Sequence, residues 1–363
     1  MNSTGPRFSC EESKMNTTRR RFLILAAGGG MGALAGLLHG PRPASAAGGS
    51  ASRETRAAEG LFAAQRTSRA LGSEISMAVL HRRAGSAAAA LDAAFAELEL
   101  VEELMSLYRP HSALCRLNRS GSLREPHPYL VSVLTQALAI SAASGGAFDV
   151  TVQPLWQLYA ATHKDGRLPD LHEVEATRRL VGWQRLDVDA RRIRLASPGM
   201  AITLNGIAQG FAADRALAAL RRHGVTGALV NTGELSSLGR KADGSAWKVG
   251  IQHPRVEDAY IELAQLDGRC LSTSGDYATA FSADRAYNHI FDPRTGGSPP
   301  HYSSVSVVAD SATVADALST ALFVLPPLAG DALLNTYASA EALFVTKSGT
   351  VRSTRGFPSA SQS

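Results

Sequence analysis

An aspartate and a threonine, Asp316 and Thr320, lie four residues apart in the stretch ADALST. If this stretch is helical, the two side chains project from the same face, because residues four apart are neighbours on a helix. A carboxylate and a hydroxyl in this arrangement are oxygen ligands suited to Mg²⁺, and a backbone carbonyl from a nearby turn could join them. The alternative is a capping role, since Thr313 and Asp316 have the spacing of a capping box.

A turn with two glycines, LNGIAQGFAAD at residues 204–214, precedes a helical pattern. The unpaired N–H groups of a helix's first turn, together with the helix dipole, favour an anion at such a place. The glycine spacing matches neither of the common nucleotide-binding fingerprints. The turn is therefore either an anion site or an ordinary strand-to-helix connection in which Gly206 and Gly210 serve the backbone.

The stretch YNHIFDPRTGGSPP, residues 287–300, carries His289 in a segment with almost no apolar periodicity. A segment rich in proline and glycine is usually a turn between strands, but loops are also the usual carriers of functional residues. Histidine has an unperturbed pKa of about 6.5, so a neutral ring is available to accept a proton near pH 7. The competing interpretation is a structural histidine at a strand end.

Two further stretches carry residues that could line a pocket. In MSLYRPHSALCRLN, Tyr108 follows a long helix, where its ring could form one wall of a site for a planar ligand. In GGAFDVTVQPLWQLY, residues 145–159, an acid and an apolar run follow a helix stop. This second stretch is typical of entry into a core strand, with Asp149 as a turn residue.

Strands followed by single helices must position these residues. Apolar residues at helical spacing predict helices, and short runs rich in β-branched residues predict strands. The helices are predicted at 87–107, 130–144, 211–224 and 311–325, and the strands at 72–81, 200–204, 227–233, 246–252 and 304–309. This order indicates an α+β architecture, with meandering strands ahead of single helices, more than a doubly wound sheet.

Composition and charge exclude a nucleic-acid-binding protein. The chain has 363 residues, of which 45% are hydrophobic and 19% charged, as expected for a globular protein of enzyme size. Its formal net charge is +5, and six basic and two acidic residues within 1–46 account for +4 of that. The remainder is nearly neutral, so we expect no broad basic surface and no nucleic-acid partner.

The first 46 residues have the pattern of a twin-arginine export signal. Paired arginines precede an apolar run diluted by Gly and Ala, and small residues lead up to Ala46. A membrane anchor is the alternative, but the run from Phe22 to Leu38 is shorter than the ~20 apolar residues of a span. No cysteine follows the run at lipoprotein spacing. We expect cleavage after Ala46 and a periplasmic protein that is not a lipoprotein.

Low-complexity segments flank the remainder, which we expect to be one catalytic unit. The predicted division is a flexible linker at 47–60, the catalytic unit at 61–355 and a disordered tail at 356–363.

Cys115 and Cys270 could pair in an oxidising compartment or stay free. No Cys/His cluster has zinc spacing, so any metal is expected to be a hard cation held by oxygen.

Taken together, the motifs resemble those of the ApbE family of FAD:protein FMN transferases over residues 71–325. The resemblance rests on the order MS-x-Y-R-P-x-S-x-L-x-R-L-N, G-x-FDVTV-x-P-L, LNGIAQGFAADRA, LVNTGE, W-x-VGI-x-x-P, STSGDY, HIFDPRTG and ADALSTAL. It implies an ApbE-like, T-fold-like arrangement of mixed or antiparallel sheets with packed helices. It also implies Mg²⁺-dependent transfer of FMN from FAD to a threonine or serine of an exported or membrane-bound redox protein.

The resemblance also implies roles for single residues. His289 corresponds to the active-site histidine, here the candidate general base for the acceptor hydroxyl. The positions implied for the metal are Gly206, Asp316 and Thr320. The positions implied for FAD are Leu71, Tyr108, Ala147, Phe148, Asp149, Thr203, Gln209 and Ile290. A cation there would neutralise charge that builds on the phosphorus and the leaving AMP.

The sequence departs from the common pattern of the family at two of these positions and at one neighbouring position. Thr203 stands where many members have an acid, Gln209 where Lys or Glu is usual, and Ser319 where an Asp often precedes the ligand threonine. These replacements remove charges near the flavin or the metal. The export signal is reminiscent of members that flavinylate a regulator of nitrous-oxide respiration. Two alternatives stay open: an FAD pyrophosphatase that uses water, and a periplasmic flavin-binding protein without catalysis.

Overall fold

The computed structural model describes residues 53–57 and 60–360. The predicted export signal lies outside these residues. The helices are α1 (Ser86–Met105), α2 (Ala113–Ser120), α3 (Pro128–Ala143), α4 (Gln153–Lys164), α5 (Leu171–Arg178), α6 (Ala208–Arg222), α7 (Ala312–Val324) and α8 (Pro327–Leu334). Short 3₁₀ helices cover Val150–Val152 and Trp183–Arg185.

The strands form one large sheet and two small ones. They are β1 (Arg53–Arg56), β2 (Phe62–Ala70), β3 (Ser73–His81), β4 (Ser122–Arg124), β5 (Leu186–Val188), β6 (Arg192–Leu195), β7 (Gly227–Asn231), β8 (Leu235–Leu238), β9 (Trp247–Gln252), β10 (Tyr260–Leu266), β11 (Cys270–Gly275), β12 (Tyr302–Ala309), β13 (Glu341–Thr346) and β14 (Val351–Ser353). The large sheet has the order β1-β2-β3-β7-β8-β11-β12-β13-β14, and β9 pairs with β10 while β4, β6 and β5 form the third sheet. Every described pairing is antiparallel.

The two faces of the large sheet carry different layers. Side chains alternate between faces along a strand, so Val307 of β12 points into the main helical core while Val308 points to the other side. On the helical side, α1 packs on α6, α6 packs on α7, and α7 lies against β11 and β12. On the other side, the β9–β10 hairpin covers a second apolar cluster. The α+β prediction is confirmed.

The predicted strand at 200–204 is not a strand. Its apolar residues are buried, but the backbone of Ile202 pairs with a side chain in place of a neighbouring strand. The Asn118 amide donates to the Ile202 carbonyl at 2.8 Å and accepts from the Ile202 N–H at 2.8 Å. An apolar pattern indicates burial here, whereas the absence of a partner strand decides the conformation.

The stretch at residues 145–159 does not enter a core strand either. It forms a 3₁₀ turn, Val150–Val152, that runs directly into α4. Asp149 begins that turn as its cap, because its carboxylate accepts the Thr151 N–H at 2.8 Å. The Thr203 N–H donates to the Val150 carbonyl at 2.8 Å, so the 3₁₀ turn lies beside the segment that leads into α6.

The structure also differs from the predicted linker and tail. Arg53–Arg56, within the predicted linker, forms β1, which satisfies the hydrogen-bonding groups on the outer edge of β2. Residues 356–360 of the predicted disordered tail are packed against the hairpin. There, the Gln265 N–H donates to the Pro358 carbonyl at 2.8 Å, and Phe357 is buried in the second apolar cluster. Burial of one aromatic ring fixes a segment whose composition predicts disorder.

The Phe357→Ala variant is expected to lose about 3–5 kcal/mol of unfolding free energy, because the ring leaves a cavity between the hairpin and the sheet. Urea denaturation measures this loss. The control is Val351→Ala, since Val351 is 47% exposed and its truncation should change stability by no more than about 0.5 kcal/mol. Equal urea midpoints for the two variants would contradict the packed tail.

Cys270 does not pair with Cys115. Cys270 is a free thiol on the helical side of β11, and burial raises its pKa to about 12. Because the thiolate is the reactive form, we expect this buried thiol to react slowly in the folded protein.

None of the helices within residues 53–57 and 60–360 combines the length and the apolar character that a bilayer crossing requires.

Candidate active site

A cleft opens where the 3₁₀ turn, the start of α6, the end of β11, α7 and the long β11–β12 loop converge. Its volume is about 830 Å³ when the solvent-filled mouth is included. Ten of the twelve site residues predicted from the sequence line it: Ala147, Phe148, Asp149, Thr203, Gly206, Gln209, His289, Ile290, Asp316 and Thr320. The structure thus brings together residues that lie up to 173 positions apart in the chain.

The other two predicted residues, Leu71 and Tyr108, lie outside the lining of the cleft. Leu71 occupies the tight turn between β2 and β3 with a φ of 51°. Tyr108 is 58% exposed, but its side chain shares a hydrogen bond with Asn205, which does line the cleft. Tyr108 therefore belongs to the rim, where it could contact a ligand that extends beyond the cleft.

The first turns of helices α6 and α7 donate hydrogen bonds to carboxylates of the opposite helix. The Gly210 N–H, one of the donors that a helix start leaves unpaired, donates to Asp316 Oδ2 at 2.9 Å. In return, the Asp214 carboxylate of α6 accepts the N–H groups of Ala312 and Thr313 at 2.9 Å each. The cap of α7 itself is Ser311, so the capping-box interpretation of Asp316 is wrong. Asp316 projects from the second turn of α7 into the cleft.

Gly210 allows this close contact, because a Cβ at its position would lie 2.2 Å from the Ala312 carbonyl oxygen. We expect Gly210→Ala to push α6 and α7 apart and to destabilise the protein by about 1–3 kcal/mol. Gly330→Ala in α8 is the control, since its Cβ would meet only ordinary contacts and alanine favours helix. Thermal unfolding measures the effect, and a Gly210→Ala variant as stable as Gly330→Ala contradicts the contact.

The donor set near Asp316 fits a hard cation. Thr320 Oγ1 lies one turn further along α7, and it is only 3.1 Å from where a Cβ on Gly206 would stand, so the turn backbone lies directly against this hydroxyl. No group of three or more His, Cys, Asp or Glu side chains among the described residues has a metal-binding arrangement. Carboxylate, hydroxyl and carbonyl oxygens are nonetheless the donors that Mg²⁺ prefers, and Mg²⁺ commonly binds few carboxylates.

The carboxylate of Asp149 is engaged within the protein. It accepts the Thr151 hydroxyl at 2.6 Å and the Trp183 N–H at 3.0 Å, in addition to the Thr151 N–H. Burial raises the pKa of Asp149 above its usual value, and these hydrogen bonds oppose the rise. Asp149 therefore fixes the wall of the cleft that carries Phe148.

His289 is held in a defined orientation by the β11–β12 loop. Its Nδ1 lies 3.1 Å from the Thr279 carbonyl oxygen, which can only accept, so Nδ1 carries the proton. The neutral ring then carries its lone pair on Nε2, the nitrogen suited to accept a proton. The preceding residue, Asn288, is fully buried, and its side-chain oxygen accepts the Ile290 N–H at 3.1 Å.

Several residues of the cleft were not singled out from the sequence. Glu234 is 1% exposed and accepts the Thr273 N–H at 3.2 Å, and Ser274 follows Thr273 at the end of β11. Glu234 lies in the motif LVNTGE and Ser274 in the motif STSGDY, so these motifs could have identified the two residues. The remaining lining residues are Val150, Val152, Gln153, Trp156, Asn205 and Phe291.

Comparison with known proteins identifies relatives of the chain. The ApbE family model matches residues 71–344. The FAD:protein FMN transferase of Escherichia coli K12 is 32% identical over 244 residues, covering 64% of this chain and 69% of the relative. The Treponema pallidum protein of that name is 32% identical over 301 residues, with coverage of 76% and 82%. The solved flavinyl transferase ApbE of Pseudomonas stutzeri is 30% identical, with a TM-score of 0.70 and coverage of 86% of this chain and 97% of that one.

Proposed function

The chain belongs to the ApbE family, and from this premise we propose that it is an FAD:protein FMN transferase that uses Mg²⁺ and releases AMP. The similarity to FAD:protein FMN transferases supports the activity, and the oxygen donors of the cleft support the metal. The acceptor group that we propose is a threonine or serine hydroxyl of an exported redox protein.

The negative charge of the cleft is the observation that supports a dependence on a metal cation. Three carboxylates, those of Asp149, Glu234 and Asp316, line it, and no Lys or Arg is among the described lining residues. The pyrophosphate of FAD carries two negative charges, which such a cleft would repel. A divalent cation held by Asp316, Thr320 and the Gly206 turn would offset this repulsion and stabilise the charge that develops during phosphoryl transfer.

The proposed reaction is a substitution at the phosphorus nearest the riboflavin. The acceptor hydroxyl oxygen forms a bond to that phosphorus while its proton passes to Nε2 of His289. The anhydride bond breaks, and its bridging oxygen leaves with AMP. The acceptor keeps FMN through a phosphate ester. Phe148, Ile290 and Trp156 supply apolar surface on which a planar ring of FAD can rest.

The site of action that we propose is the periplasm. The twin-arginine pattern in residues 1–46 supports export, and the lack of a cysteine at lipoprotein spacing supports release as a free protein. The acceptor would then be a periplasmic or membrane-bound redox protein that presents its hydroxyl on the periplasmic side.

Incubation of the mature protein with FAD, Mg²⁺ and a redox protein encoded by a neighbouring gene tests the proposal. Transfer yields AMP and an acceptor whose mass has increased by that of FMN less one water. Free FMN with AMP would identify a pyrophosphatase, and the absence of AMP would identify a flavin-binding protein. A parallel reaction with a chelator in place of Mg²⁺ should yield no AMP.

A further inference from the structure

Three hydroxyl groups connect the end of β11 to the face of α7 that carries Asp316. Ser274 Oγ lies 2.8 Å from Ser319 Oγ and 3.1 Å from Thr320 Oγ1. Ser319 Oγ in turn donates to the Asp316 carbonyl oxygen at 2.9 Å. Ser274 and Ser319 are both nine-tenths buried or more. We call this set, Ser319–Ser274–Thr320, the hydroxyl chain.

The protons of the hydroxyl chain can be assigned by counting. A hydroxyl has one proton to donate, and a carbonyl oxygen has none. The proton of Ser319 is committed to the Asp316 carbonyl, so the contact between Ser274 and Ser319 requires Ser274 to donate. The proton of Ser274 is then used, and the contact between Ser274 and Thr320 requires Thr320 to donate.

This assignment determines which way the proton of the Thr320 hydroxyl points. The proton points towards Ser274, and the oxygen lone pairs stay available on the side turned away from Ser274. A metal cation binds lone pairs and is repelled by a hydroxyl proton. We propose that Ser274 and Ser319 are positioning residues that orient the Thr320 hydroxyl as a metal ligand. This inference rests on the proposed function, because it concerns the same cation.

A neighbouring serine provides a matched control. Ser272 lies two residues before Ser274 on β11 and faces the same side of the sheet. It is fully buried, and its hydroxyl has no hydrogen-bond partner among the described residues. Ser272→Ala and Ser274→Ala therefore remove the same atom from the same strand, but only Ser274→Ala interrupts the hydroxyl chain.

The test is direct binding of Mn²⁺, followed by electron paramagnetic resonance, with Mg²⁺ as the competitor. Groups that orient a metal ligand typically change metal affinity by ~10–100-fold when they are removed. We expect Ser274→Ala to raise the Kd for Mn²⁺ by about tenfold, and Ser272→Ala to leave it unchanged. Ser319→Ala should raise it about two- to threefold, because the Ser274 proton can then turn in either direction.

The outcomes separate the hydroxyl chain from the proposed function. If the wild type binds Mn²⁺ and Ser274→Ala binds it as tightly as Ser272→Ala, the hydroxyl chain has no role in the site. If the wild type binds no Mn²⁺ with FAD present, both the chain and the cation of the proposed function are contradicted. Circular dichroism checks folding, and should Ser274→Ala fail to fold, unchanged affinity in Ser319→Ala overturns the inference.

Discussion

The Asp316→Asn variant is expected to cleave FAD about 10²–10³-fold more slowly than the wild type at low millimolar Mg²⁺, because a cation at a reacting phosphate contributes several kcal/mol. The substitution separates two roles of Asp316. An asparagine keeps a carbonyl oxygen that can accept the Gly210 N–H, so the contact between α6 and α7 survives. It removes the negative charge, which is what the cation requires. The measurement is AMP release across a range of Mg²⁺ concentrations.

Asp331→Asn is the control for the loss of one carboxylate. Asp331 lies on α8, is paired with Arg352 and does not line the cleft. It should keep the activity and the Mg²⁺ dependence of the wild type. An Asp316→Asn enzyme that cleaves FAD at the wild-type rate and with the same Mg²⁺ dependence would show that Asp316 serves only to join the two helices. Partial recovery at high Mg²⁺ would support a weakened cation site.

The part of the site that the sequence predicts is the part set by local geometry. Asp316 and Thr320 share a helix face at a spacing that any α-helix imposes, and the helix is evident from its apolar pattern. Gly206 lies in the turn that precedes α6 and Gln209 lies in the first turn of that helix, so both belong to one continuous stretch of sequence. His289 stands in a loop whose composition marks it as irregular. A short window of sequence is enough to predict each of these residues.

Predicting that Glu234 and Ser274 line the cleft requires information that no short window of sequence contains. Glu234 reaches the cleft because its carboxylate accepts the Thr273 N–H, 39 residues further along the chain. That contact depends on the pairing of β8 with β11. Ser274 acquires its role from Ser319 and Thr320, on a helix about 45 residues away. Register between distant strands and the height of a helix above a sheet are tertiary properties.

The wrong prediction of a strand at 200–204 has the same cause, because it also depends on tertiary contacts. An apolar run indicates burial, and both a strand and an extended buried segment satisfy that pattern. The choice depends on the Asn118 side chain, 84 residues earlier, which occupies the backbone groups of Ile202. The tail differs for a similar reason, since the position of Phe357 depends on the β9–β10 hairpin. Local composition therefore predicts helices and strands better than it predicts the distant segments with which they pair.

The second large effect is expected for His289→Asn, which should transfer FMN ~10²–10⁴-fold more slowly while binding FAD nearly as well as the wild type. The asparagine amide can replace Nδ1 as the donor to the Thr279 carbonyl, so the loop keeps its contact. What is lost is Nε2, the atom proposed to accept the acceptor's proton. Transfer by the wild type should also fall in acid, because a protonated imidazole accepts no proton, whereas the variant should lack this dependence.

His301→Asn is the matched control, since His301 ends the same loop and does not line the cleft. Transfer rate, FAD affinity and thermal stability should be measured on the same purified sample of each variant. A purely structural histidine predicts a less stable His289→Asn protein whose folded molecules transfer FMN at the normal rate and with the normal pH profile. Loss of FAD binding would instead make His289 a ligand contact. A general base predicts slow transfer together with intact FAD binding and a flattened pH profile. Binding depends on the cleft and the cation, whereas proton acceptance depends on Nε2 alone.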